Sequence, residues 1–185
     1  MHPQETKAVA EPTGDNAGGG YFSSLMGLLG SPRSFFSELP PAEGFRTPFQ
    51  FLLFSALFHS GAFALTIAGH KTLMTIVVFL NALLMPLAAA VAGFIVCRMT
   101  TRRGLSFAVI FQVYAYSAGV TLLVSWIPLF SWFTEPWKWI LITLGLRKTA
   151  RMGWGTAAVV LAGSMALVFL FFYSLNAAVP VLLKN

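Results

Sequence analysis

The residues that could do chemistry in this chain are few, and their placement narrows what they could do. The carboxylates are Glu5, Glu11, Asp15, Glu38, Glu43 and Glu135. None lies within a long apolar run, where proton relays and cation sites need them. The sequence has no HExxH, no GxSxG and no paired aspartates, so the usual metal-dependent and serine-hydrolase constellations are missing. The single cysteine, Cys97, allows no internal disulfide and no cysteine-rich metal site. His2 and His70 are too far in depth from His59 to complete a metal site with it. Catalytic, cofactor and metal residues are therefore all assigned as none.

Two sets of polar residues remain. Within the apolar runs lie His59, Asn81, Gln112, Tyr114, Tyr116, Tyr173 and Asn176. Five of these, His59, Asn81, Gln112, Tyr116 and Asn176, would form a polar path if they converged on one cavity. For His59 the simpler reading is an interhelical hydrogen bond, which membrane helices use as modest glue. As a functional group it would need a partner such as Gln112 or a tyrosine. The second set is basic: Arg98, Arg102, Arg103, Arg147, Lys148 and Arg151. It fixes topology by default, and as a joint patch it would hold anionic lipid headgroups or an acidic partner.

The elements that position these residues belong to a membrane protein. Of 185 residues 57% are apolar and 10% charged, with a mean hydropathy of +0.75, whereas a soluble domain is about a quarter charged. The net charge of +6 falls mostly in short breaks between apolar runs. That distribution argues against nucleic acid and for a lipid bilayer as the main partner. Residues 1–20 are rich in Pro, Gly and small polar residues and are expected to form a disordered tail without a cleaved signal. From Tyr21 to Leu39, apolar residues recur every three to four positions, with a helix start at Ser31 and Pro32. Residues 21–47 thus read as one or two short amphipathic helices in the membrane surface, or as a connector packed on the bundle.

The transmembrane domain follows, 48–185. Its apolar runs are about 48–69, 72–97, 105–127, 130–146 and 154–183, against the ~20 residues a bilayer core requires. Pro86 interrupts the second run, which a membrane helix tolerates when neighbours satisfy the freed carbonyl. The fourth run is short and approached by a Trp-rich turn. It is expected to span, with a re-entrant segment as the rival. The fold class is all-α: a polytopic bundle of five transmembrane helices. Small residues spaced by four, such as Ala56 and Ser60, Ala115 and Gly119, and Ala158, Ala162 and Ala166, fit close helix packing or an association face. With the 98–103 loop in the cytoplasm, Lys7, Arg33, Arg46, Arg98, Arg102, Arg103, Arg147, Lys148 and Arg151 lie inside, and Lys71, Lys138 and Lys184 outside. The N-terminus is then cytoplasmic and the C-terminus outside.

Two stretches carry a resemblance. SPRSFFSELPPAEGFRTPFQF, residues 31–51, has a proline, two aromatics and Leu-Pro ahead of the first span. Further on come Ala115-Tyr116-Ser117, Trp126-Ile127-Pro128, Trp139 and Gly145-Leu146-Arg147, and then a small-residue span from Ala157. Together, over residues 31–175, they resemble the YIP family of Ypt/Rab-interacting multispan membrane proteins in its shorter bacterial form. The resemblance implies a five-helix bundle with a cytoplasmic N-terminus, here in the bacterial cytoplasmic membrane. Eukaryotic members act in vesicle trafficking and bind prenylated small GTPases. The acidic-Tyr-Gly-Pro element typical of those members is replaced here by AEGFRTPFQF, which argues against small-GTPase binding. The leading expectation is a non-enzymatic scaffold or membrane-organising, trafficking-type protein, with a membrane-protein partner or a second copy of itself. The alternative is a small transporter or channel subunit using the polar path. An intramembrane enzyme lacks any nucleophile–base pair.

Overall fold

The computed structural model describes residues 17–39, 44–66, 71–101 and 104–182. They form seven helices and no strand: α1 (Ala17–Gly30), α2 (Pro32–Glu38), α3 (Arg46–Thr66), α4 (Lys71–Thr100), α5 (Phe107–Ser125), α6 (Pro128–Lys148) and α7 (Trp154–Leu182). Four of the helices have the length and apolarity to cross a membrane: Arg46–Thr66, Thr72–Thr100, Phe107–Ser125 and Trp154–Ser174. The fold class is thus an all-helical membrane bundle.

α5 is the axis of the bundle. Every residue from Ile110 to Thr121 is buried, and α3, α4 and α6 pack around it. The sequence permits this because α5 carries small or hydroxylated residues on its inward turns. A Cβ on Gly119 would come within 2.7 Å of the Phe51 ring and 3.2 Å of Ser55 Oγ, so α3 sits almost on the α5 backbone. Ser106 caps the helix, its hydroxyl accepting from Ala108 N–H at 3.2 Å. The buried face of α3 (Pro48, Phe51, Leu52, Ser55, Ala56, Ser60) follows the helical period. α4 runs unbroken through Pro86, and α7 packs along it, with Val96 side-chain atoms 2.8 Å from a Cβ built on Gly163.

α6 runs as one helix from Pro128 to Lys148, with Pro136 inside it. Its 21 residues measure roughly 31 Å along the axis. It returns antiparallel to α5: the chain reverses at Trp126–Ile127, and a Cβ on Gly145 would lie 2.5 Å from Val113 Cγ1. The short fourth run of the sequence is therefore a long helix that starts before the proline. Trp132, Trp137 and Trp139 share it over seven residues, a rise of about 10 Å. They are staggered in depth rather than gathered in one belt.

The first two helices do more than rest on the outside of the bundle. α1 begins at Ala17, four residues before Tyr21, and residues 1–16 of the expected tail lie outside the described residues. Leu28 and Phe36 are buried in a second core cluster with Phe51, Tyr116, Val120, Leu141 and Leu144. Tyr21 donates to or accepts from Ser55 Oγ at 3.2 Å, and its ring lies 4.9 Å from that of Phe51. Ser55 is nine residues into α3, about 14 Å from the start of that helix. The α1–α2 hairpin is wedged into the groove between α3, α5 and α6.

The small-residue faces divide. Ala56, Ser60, Ala115 and Gly119 are buried, whereas Ala158, Ala162 and Ala166 are exposed. α7 instead buries Ala157, Val160 and Ser164.

Candidate functional site

The hairpin order of the helices brings the basic residues to one end. The α4 C-terminus, the α5 and α7 N-termini, the α6 C-terminus and the α3 N-terminus all meet there. Aromatic contacts tie this end together: Phe45 lies 5.6 Å from Phe107 and 5.7 Å from Phe111, and Phe94 lies 5.6 Å from Phe107. Arg98 closes α4, exposed, with its guanidinium 5.8 Å from the Phe94 ring centre. Arg147 closes α6 and stacks over Trp154 at 3.8 Å, an arrangement that uses the flat, weakly hydrated guanidinium. Lys148 and Arg151 are exposed beside it. Arg151 adopts φ 50°, the left-handed conformation, where the chain leaves α6 and turns into α7. Arg102 and Arg103 lie outside the described residues.

The structure adds one cation that the sequence reading placed in the topology count but not in the patch. Arg33, on α2, lines a groove of about 420 Å³ together with Trp139, Ile140, Thr143 and Trp154. Trp154 thus lines the same groove as Arg33 and stacks with Arg147. α2 is held in that place by Thr149, whose hydroxyl donates to the Phe36 carbonyl at 2.9 Å. A Cβ on Gly145 would meet Phe36 Cε1 at 3.0 Å, so α2 closes down onto the α6 backbone. The Arg147 Nε is buried and has no hydrogen-bond partner among the described residues. Such an end can bind anions, and its aromatic floor suits the headgroup level of a bilayer.

The described residues of the expected polar path make separate contacts. His59 Nδ1 is 3.1 Å from the Leu122 carbonyl and 3.3 Å from Ser125 Oγ, and these are its partners rather than Gln112 or a tyrosine. The Leu122 carbonyl is one of the last four of α5, where it also accepts from the Ser125 hydroxyl at 3.4 Å. His59 thus fastens α3 to the end of α5. Asn81 is exposed on the outer face of α4. Tyr116 lies under the α1–α2 hairpin, its ring 5.2 Å from Phe35 and 5.0 Å from Phe51. Gln112 is buried, and its carbonyl oxygen has no partner among the described residues. The Asn176 side chain lies outside what is described. No hydrogen bond links any two of the others.

One buried pair escapes sequence reasoning. Tyr114 and Ser164, fifty residues apart, are hydrogen-bonded at 2.8 Å between α5 and α7. Periodicity places each residue on a face but cannot pair faces across helices. Among the described residues, no group of three His, Cys, Asp or Glu could hold a metal ion.

An all-helical bundle of apolar spans with one basic, aromatic end is the architecture of a multispan membrane protein. A family model described as the Yip1 domain matches residues 26–175, most of the chain, and the protein belongs to that family. Comparison with curated proteins and with solved structures returned no match.

Proposed function

We propose that this protein is a non-enzymatic membrane-organising scaffold that grips anionic phospholipid headgroups at its basic end. The observation that carries the reading is the Arg33–Trp154–Arg147 arrangement: one exposed indole stacks with Arg147 and lines a groove with Arg33, which sits on another helix. Arg98, Lys148 and Arg151 extend the patch. The end faces the cytoplasm, because the positive-inside bias places it there. With α6 crossing as the fourth of five spans, the N-terminus is inside and the C-terminus outside, in the bacterial cytoplasmic membrane. A trafficking-type role would follow from recruiting a membrane-protein partner, or a second copy, to such lipids. Binding of a small GTPase is not part of the reading, since the acidic-Tyr-Gly-Pro element is lacking in the sequence. A transporter or channel path is disfavoured because His59 bonds to the end of α5, Tyr116 packs against Phe51 and Asn81 is exposed.

Native mass spectrometry of protein from vesicles of mixed phosphatidylglycerol and phosphatidylcholine tests the reading. Each cation near a membrane surface is worth about 1 kcal/mol, roughly fivefold in retention. Arg33→Ala with Arg147→Ala should lower phosphatidylglycerol retention about 25-fold if the two act independently. Unchanged retention in the folded double variant would refute it.

A further inference from the structure

Away from the basic end, α4, α5, α6 and α7 leave a crevice of about 470 Å³ between them, within the range of small-molecule sites. It exists because three neighbouring helices place small side chains, Ala89, Ala118 and Ser164, where their surfaces meet. Its inner wall ends in the buried Tyr114–Ser164 hydrogen bond. Its rim includes Phe169, 69% exposed, and Trp139, 40% exposed. The crevice therefore opens sideways from the bundle.

The rim also carries the Glu135–Lys138 ion pair, Nζ to Oε1 2.6 Å, with side chains 55% and 28% exposed. These residues lie seven and ten positions from Pro128, about 10 and 15 Å along α6. If α6 crosses, as the proposed topology has it, both charges lie near the outer membrane boundary, the level of the lipid headgroups. Lys138 gives one of its three donors to Glu135. The carboxylate keeps open acceptor positions. The rim thus presents one acceptor for a cation and two donors for an anion beside an apolar slot.

We infer that the crevice binds a phospholipid with a primary-ammonium headgroup, its ammonium on Glu135, its phosphate on Lys138 and one acyl chain along Ala89, Ala118 and Ser164. The paired charges select this class. An anionic lipid would satisfy Lys138 and meet Glu135 as a repulsion. A quaternary-ammonium lipid would give Glu135 no N–H donor. A hydrogen bond to a charged group is worth about 1.5–3 kcal/mol, so the primary amine should be retained about tenfold or more over the quaternary one.

The test takes the full chain from vesicles of equal phosphatidylethanolamine, phosphatidylcholine and phosphatidylglycerol, counting co-purified lipid by native mass spectrometry. The expected result is one tightly held phosphatidylethanolamine per chain, lost in Glu135→Gln with Lys138→Gln. Those rim positions are solvent- or lipid-facing, so the variant should fold. Ala118→Phe, which fills the slot, should also exclude the lipid. Arg33→Ala with Arg147→Ala should leave phosphatidylethanolamine retention intact, so this site and the basic end fail or succeed separately. Equal retention of phosphatidylcholine, preference for phosphatidylglycerol, or full retention in the rim double variant would overturn the assignment.

Discussion

At the residue scale, the bundle depends on a few positions where the absence of a side chain matters most. Gly145 is the clearest. Its Cβ would collide with the β-branched Val113 at 2.5 Å and crowd Phe36 at 3.0 Å, and neither neighbour can turn away inside a filled core. Gly145→Ala should destabilise the protein by about 1–3 kcal/mol, read as a lower unfolding midpoint in detergent. Gly61 is the internal control. It lies mid-helix in α3 with no atom within 4 Å of a built Cβ. Gly61→Ala should be neutral or stabilising by up to about 1 kcal/mol. If both substitutions behave alike, the close α2–α5–α6 packing is misassigned. His59 has a similar local explanation: it satisfies the Leu122 carbonyl at a helix end, and that use accounts for it without catalysis.

At the element scale, the α1–α2 hairpin is the feature whose role changes most between sequence and structure. The Ser31–Pro32 break was readable, because proline at a first helical position has a local cause. The docking was not. Phe36 meets Thr149 across 113 residues, and no pattern within Tyr21–Leu39 names its receptor. The start of α1 at Ala17 was also hidden, since Gly18, Gly19 and Gly20 argue locally against a helix. α7 shows the same limit: two small-residue faces exist on it, and only packing decides that Ala157 and Ser164 turn inward while Ala158 and Ala162 turn out. Phe36 is fully buried, so Phe36→Ala should cost about 3–5 kcal/mol of local packing. Limited proteolysis within residues 39–45 should then accelerate sharply in the variant. An unchanged cleavage rate would mean that the hairpin is not held by this contact.

At the scale of the whole molecule, hydropathy and charge placement were enough to read an all-helical membrane bundle, because lipid leaves helices and closed barrels as the only spanning structures. α6 resisted that reading. Glu135, Lys138 and Pro136 lower its hydropathy, yet it runs back along α5 from the Trp126 turn to Gly145. Its direction decides whether Arg147 joins Arg98 at one membrane face, and with it the end proposed to bind lipid headgroups. The most direct measurement is side-specific thiol labelling of Phe133→Cys and Lys148→Cys in a Cys97→Ala background, with a membrane-impermeant reagent on sealed vesicles of known orientation. The account predicts that position 133 labels only from outside and position 148 only from the cytoplasmic side. Labelling of both from the same side would contradict it.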